Sequence, residues 1–280
     1  DMATVACRAP VRGYCRVQTG SAEGNSRSEN AEAVCVGPAA PGLAAIDNPD
    51  GNGEYLVDWS DVTGATNYVL EEDDSPEFTA PTVRYNGPSS RFQISGQAAG
   101  LWYYRVRASN AGGNSTWSTS ESVGVVPAAP VLAAISNADG NGSYLVNWND
   151  VAGATSYRLE EDDNAEFSSP TARYTGATSQ YQVSGQATGL WYYRVQASNA
   201  QGNSAWSNTE TVGVVPAAPV LAAIDNPDGN GEYLVDWSDV TGATNYVLEE
   251  DESPEFTAPT VRYNGPSGRF QQSGQGPGPV

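Results

Sequence analysis

The sequence predicts an all-β chain built of tandem seven-stranded antiparallel β-sandwiches. Three observations carry that expectation. Val, Tyr, Thr and Trp fall in short runs that alternate apolar with polar residues. Gly and Pro interrupt those runs every few residues, and no stretch holds a helical period. The chain also repeats itself: Trp59, Trp148 and Trp237 stand 89 residues apart in "YLVDWSDVTGAT", "YLVNWNDVAGAT" and "YLVDWSDVTGAT", and Pro38, Pro127 and Pro216 each open a "PAAP" at the same interval.

Seven strands are expected in each copy, here in the first. "LAAI" is followed by the turn "PDGNG", whose Gly and Asn residues suit positive φ. In "EYLVDW", Tyr55, Val57 and Trp59 alternate onto one face. "NYVLEE" turns Tyr68 and Leu70 inward, and "TVRYNG" and "RFQIS" follow. The last two strands, "WYYRVRAS" and "STWSTSESVGVV", flank the turn "NAGGN". Short strands of period two at this spacing belong to a β-sandwich.

The Pro at the start of each copy, the V-x-W strand, the Y-x-L strand and above all "YYRVRASNAGGNS" resemble fibronectin type III domains, especially those of bacterial and archaeal extracellular proteins. The resemblance covers nearly the whole chain. It implies the sandwich fold in tandem, but such modules serve as spacers, adhesins, enzyme linkers and filament subunits alike. The chain has no "RGD" tripeptide, so integrin-type adhesion is not implied.

The offset of 89 residues also assigns the first and last segments. Tyr14, Arg16 and Val17 fall on Tyr103, Arg105 and Val106; Glu32, Val34 and Val36 fall on Glu121, Val123 and Val125. Residues 1–37 therefore read as the last two strands of a sandwich, with a trace of the strand before them. Residues 216–280 read as the first five strands of one, ending in "GPGPV" where the first copy has "AAGLW". Two complete domains, 38–126 and 127–215, lie between. Alone, the third copy is expected to leave Trp237, Tyr246, Leu248, Phe256 and Phe270 facing solvent along an open edge, and a lone hairpin is marginal in water.

Three arrangements answer this. The hairpin of one chain completes the third copy of the next, giving a head-to-tail homopolymer similar to donor-strand assembly in pili; or the chain closes into a ring; or it is a piece of a longer array. The two "VVPAAP" linkers are short and Pro-stiffened, which suits an extended array better than a ring. The leading expectation is a filament subunit with Tyr14, Cys15, Val17, Val34 and Val36 as donor residues. The alternative is a spacer or adhesion module of a larger surface protein, contacting carbohydrate through aromatics such as Trp117 and Trp206.

Net charge is −20, and all 13 basic residues are Arg. Such a surface repels nucleic acid and anionic lipid, so neither is an expected partner. No apolar run is long enough for a membrane span. Asp1 precedes Met2, the pattern of a processed terminus, so the expected location is extracellular or at the cell surface after removal of an export signal.

Cys7, Cys15 and Cys35 form a local cluster with no zinc spacing. Cys15 and Cys35 each stand ten residues from Asn25 and are expected to face one another in a disulfide that preforms the hairpin, removing roughly 3 kcal/mol of chain entropy. Two buried free thiols are the alternative, and Cys7 is left over. With no His, the chain lacks the constellations of nucleophilic or metal catalysis, and no enzyme activity is expected. "DNPDGNGE" and "EEDDSPE" invite a calcium reading but lack the spacing of a calcium loop; a turn and a solvated acidic face are expected, with no cofactor. Asn114 and Asn141 match the glycosylation sequon.

Overall fold

Alternation becomes burial strand by strand. A computed structural model describes residues 12–15, 20–21, 24–25 and 32–273. The N-terminal segment contains β1 (Arg12–Cys15), β2 (Gly20–Ser21), β3 (Gly24–Asn25) and β4 (Glu32–Cys35). The first repeat contains β5 (Tyr55–Asp58), β6 (Asn67–Asp73), β7 (Thr82–Gly87), β8 (Arg91–Ile94), β9 (Gly100–Asn110), β10 (Gly113–Asn114) and β11 (Glu121–Val125). The second repeats them as β12 (Tyr144–Asn147), β13 (Ser156–Asp162), β14 (Thr171–Gly176), β15 (Gln180–Val183), β16 (Gly189–Asn199), β17 (Gly202–Trp206) and β18 (Glu210–Val214). The third stops at β19 (Tyr233–Asp236), β20 (Tyr246–Glu250), β21 (Thr260–Gly265) and β22 (Arg269–Gln272), and no strand follows β22 among the described residues.

In the first repeat β5 pairs with β8, while β10, β9, β6 and β7 form a second sheet with β11 beside β9. Tyr55, Val57 and Ile94 of the small sheet share one core with Tyr68, Leu70, Tyr104, Val106, Ala108, Val123 and Val125 of the large one. A bulge between Leu70 and Glu71 shifts the β6–β7 register by one residue. The expected first strand is reduced to a single bridge, Leu43 opposite Trp59, with the Ala44 N–H donating to the Asp58 carbonyl at 3.0 Å. The last strand is interrupted between β10 and β11, and side chains fill the gap in the ladder. The Val106 N–H donates to Ser118 Oγ at 3.1 Å and the Ala108 N–H to Ser115 Oγ at 3.0 Å.

Two compact units are present. One unit is Asp1–Pro130 with Asp150–Tyr157 and Gln196–Trp206; the other is Val131–Asn149 with Arg158–Val195 and Ser207–Val280. The first unit gathers those later segments because they pack on its end. Asn199 Nδ2 donates to the Val125 carbonyl at 3.0 Å, and Gly153 lies so close that a Cβ there would stand 2.6 Å from that of Ala99.

Leu70 and Leu159 are fully buried, whereas Leu248 at the same repeat position is half-buried. Leu70→Ala is expected to cost about 2–5 kcal/mol of unfolding free energy. Leu248→Ala is expected to cost less than about 2 kcal/mol in isolated chains, and chemical denaturation followed by Trp fluorescence measures both.

Candidate functional site

The unusual feature is the third repeat, which has no strand after β22 among the described residues, and its meaning comes from what the other repeats place there. β9 delivers Tyr104, Val106 and Ala108 to the core, all fully buried. The Tyr104 hydroxyl donates to the carboxylate of Glu72, which continues the inward series Tyr68, Leu70, Glu72 along β6. Glu72 is 4% exposed and also receives Gln97 Nε2 at 3.2 Å and Arg84 Nη1 at 3.2 Å. Tyr55 Oη lies 2.9 Å from Tyr104 Oη. A buried carboxylate without these donors would be strongly destabilising. In the second repeat Glu161 accepts from the Tyr193 hydroxyl and from Gln186 Nε2 at 3.2 Å. Burial, above all, pushes the Tyr55 phenol up to about 12. Burial, followed by the hydrogen bonds to Glu72 and Tyr55, pushes Tyr104 further in the same direction.

Without such strands, the apolar surface of the third repeat is uncovered. Leu221 is 53% exposed, against 2% for Leu132, and Phe256 is 52% exposed, against 8% for Phe167. Leu221, Ile224, Tyr233, Leu248, Phe256 and Phe270 line an open groove of about 200 Å³. Burying a side chain of this size is worth roughly 1.5–3 kcal/mol. Trp237 and Tyr246, expected at the open edge, are instead only 8% and 9% exposed. The reason is local ring packing: Trp237 lies 5.8 Å from Tyr246 and 5.8 Å from Tyr263, and Phe270 covers Tyr263 at 6.1 Å. The groove is therefore marked by Leu248, Phe256 and Phe270, together with Leu221 and Ile224. Those last two stand in the "LAAI" run, and sequence reasoning does not single them out.

The N-terminal segment has the matching backbone. β1 pairs with β4 so that Tyr14 opposes Ala33 and Cys15 opposes Glu32. Moved forward by 89 residues, these are the β9–β11 pairs Tyr103–Ser122 and Tyr104–Glu121. Ser21 opposite Gly24 likewise reproduces Asn110 opposite Gly113. Cys15, Val34 and Val36 therefore hold the register of the buried Tyr104, Val123 and Val125, while Tyr14 holds that of the half-buried Tyr103. Val17 lies outside the described residues. Val36 is 51% exposed, against 2% for Val125. The segment leads into the first repeat as that repeat leads into the second: Asn110 Nδ2 donates to the Val36 carbonyl at 3.1 Å. Gly112 permits this seat, since a Cβ there would lie 2.6 Å from the Val36 carbonyl carbon.

The same register corrects the disulfide expectation. Cys15 opposes Glu32 and Cys35 opposes Arg12, so the two cysteines are three ladder positions apart and do not face one another. Counting ten residues from Asn25 places the hairpin centre too late, because the turn closes between Ser21 and Gly24. Cys7 lies outside the described residues.

The acidic loops are held by their own backbone. Asp73 Oδ1 accepts from the Ser75 N–H at 3.0 Å and Oδ2 from the Ala80 N–H at 2.9 Å, and Asp251 makes the same pair of bonds. Backbone donors at Ser253 and Ala258 hold the Asp251 carboxyl below its ordinary value. Asn114 and Asn141 are both exposed, and Asn141 Nδ2 donates to Asp139 Oδ2 at 2.6 Å. Arg105 and Arg107 lie over the Trp117 ring at 4.4 and 4.5 Å, so guanidinium groups already occupy this ring as a carbohydrate platform would be used. Trp206 ends β17 opposite Gln196. No helix among the described residues is long and apolar enough to cross a membrane.

These features define a tandem β-sandwich protein with one open strand position and one hairpin of matching register. No family model matches the chain. It is 28% identical over 235 residues to human fibronectin type III domain-containing protein 7, covering 81% of this chain and 31% of that protein. The mouse protein of the same name is 28% identical over 233 residues, with the same coverages. The chain is thus similar to proteins described as containing fibronectin type III domains, and it spans 31% of the length of the curated relatives it matches. Among solved structures, a two-domain fibronectin type III segment of chicken tenascin aligns at 16% identity and TM-score 0.47, over 64% of this chain and 99% of that one. The FN1–FN3 domains of chicken CNTN1 align at 14% identity and TM-score 0.31, over 86% and 90%.

Because the raised value belongs to the folded state, the neutral Tyr55 phenol stabilises it fully below the ordinary value near 10, and that stability is lost as pH climbs through 12. Unfolding free energy is expected to fall between those limits together with the rise of tyrosinate absorbance. Tyr104→Phe is expected to lower stability at pH 7 by about 1–3 kcal/mol and to flatten the alkaline slope.

Proposed function

We propose that this protein is the structural subunit of an extracellular filament that polymerises head-to-tail by strand complementation. The hairpin of residues 1–37 from one copy supplies the last two strands to residues 216–280 of the next, making a composite sandwich beside the complete domains 38–126 and 127–215. The observation that carries this reading is paired exposure in a shared register. Val36 and Leu221 are 51% and 53% exposed, where Val125 of the first complete repeat and Leu132 of the second are each 2% exposed.

A second feature supports it. Pro277 and Pro279 stand where the repeat has Ala99 and Leu101, at the start of β9. Proline has no N–H to give a ladder, so the residues that follow β22 in sequence are unsuited to begin the missing strand themselves. Open head-to-tail contacts of this kind propagate as fibres, and the joint then rests on buried apolar surface and strand hydrogen bonds. The chain has no Lys, so it cannot be sealed by a Lys–Asn isopeptide bond.

Negative-stain microscopy and sedimentation of the concentrated chain test the proposal. Filaments are expected from the full chain and discrete particles from a chain lacking residues 1–37. Polymerisation of the truncated chain, or discrete particles from the full chain, would overturn it.

A further inference from the structure

We infer that one arginine of a second copy, Arg16, selects the hairpin for the groove by seating its guanidinium against Phe256 and Glu249; this rests on the strand-complementation reading. In the first repeat the guanidinium of Arg105 lies 4.3 Å over the Phe78 ring, and its Nε and Nη2 donate to Glu71 Oε2 at 2.9 and 2.7 Å. In the second, Arg194 lies 4.2 Å over Phe167 and bonds Glu160 Oε2 at 3.0 and 2.7 Å. Both arginines come from the strand that has no counterpart in the third repeat among the described residues.

The receiving half of this site is already formed in the third repeat. Phe78, Phe167 and Phe256 have φ of 51°, 49° and 48°, a left-handed conformation that costs a non-glycine residue roughly 1–2 kcal/mol. In the complete repeats the ring is then buried beneath its arginine. Phe256 keeps the same backbone, with its N–H donating to the Ser253 carbonyl at 3.1 Å as that of Phe78 does to Ser75 at 3.2 Å, yet its ring is 52% exposed. Glu249, the counterpart of Glu71 and Glu160, is exposed as well. The local strain persists without the contact that it serves elsewhere.

The occupant follows from sequence phase and charge. Of the four arginines in residues 1–37, only Arg16 stands at the repeat position of Arg105 and Arg194; Arg8, Arg12 and Arg27 fall on Gln97, Leu101 and Thr116. Arg16 lies outside the described residues; in sequence it directly follows Cys15, which opposes Glu32 as Tyr104 opposes Glu121. Glu249, Glu250 and Asp251 line the groove, and Arg262 pairs with Glu250 at 3.0 Å. A strand without a cation at this place would press apolar surface onto Glu249 and leave a carboxylate desolvated and unpaired, which is the stronger part of the discrimination.

A charge swap in the full chain tests the seat, with the critical concentration for assembly read by sedimentation and the melting of the complete repeats checked by circular dichroism. Arg16→Glu and Glu249→Arg are each expected to raise the critical concentration at least about thirtyfold, and the double variant to return it to within about threefold of the parent. Arg16→Lys keeps the charge but loses the planar stack and fork, and is expected to fall between parent and Arg16→Glu. If the single variants assemble like the parent, or the double variant no better than the worse single one, the Arg16 seat is wrong while complementation stands. If the parent chain shows no assembly that depends on residues 1–37, the complementation reading fails first.

Discussion

β9, with β16 at the same place in the second repeat, is the part on which the rest of each module depends. β9 pairs with β6 on one side and with β11 on the other, so its loss would open a ladder in both directions. It also carries three fully buried side chains, the hydroxyl that satisfies the buried Glu72, and the guanidinium that covers Phe78. Core, ladder and buried charge are thus tied to one segment of eleven residues. Each of these terms is worth a few kcal/mol against a total stability of about 5–15 kcal/mol, so a domain without that strand is not close to complete.

The third repeat shows what forms without that strand among the described residues. Its two strand pairs, β19–β22 and β20–β21, still close over Trp237 and Tyr246 through a run of tilted rings, and the bulge in its β20–β21 pair is the one seen in the first repeat. What it cannot do alone is cover Leu221, Ile224 and Phe256. Two departures from the repeat would meet under complementation. Gln272 stands where Ile94 and Val183 are fully buried, opposite Tyr233 in the β19–β22 ladder, and its Oε1 accepts from Arg262 Nη2 at 3.0 Å. Cys15 stands in the register of Tyr104, whose hydroxyl meets Tyr55, the counterpart of Tyr233. Under complementation, the composite core would replace an aliphatic side chain and a phenol with an amide and a thiol.

Much of the fold is legible in the sequence because its signals are local and repeated. Alternation in "EYLVDW" and "NYVLEE" gives the inward faces correctly, and the 89-residue phase places the N-terminal hairpin in register with β9 and β11. The misses are places where several residues decide together. The cysteine spacing misleads because a hairpin's register depends on where its turn closes, which spacing from one residue does not reveal. The burial of Trp237 and Tyr246 depends on rings brought in by Tyr263 and Phe270 from other strands. The role of Phe256 depends on a positive φ that no residue preference announces in a phenylalanine.

The most direct test of trans-complementation is a cross-link from the groove itself. Full chains carrying a photo-reactive phenylalanine at position 256 would be mixed as light and heavy isotope populations, assembled, irradiated and digested for mass spectrometry. The account predicts cross-links from position 256 to residues 12–25, with mixed light–heavy pairs as frequent as random encounter between copies demands. Cross-links confined to single-isotope pairs, or none to that hairpin in assembled material, would contradict it.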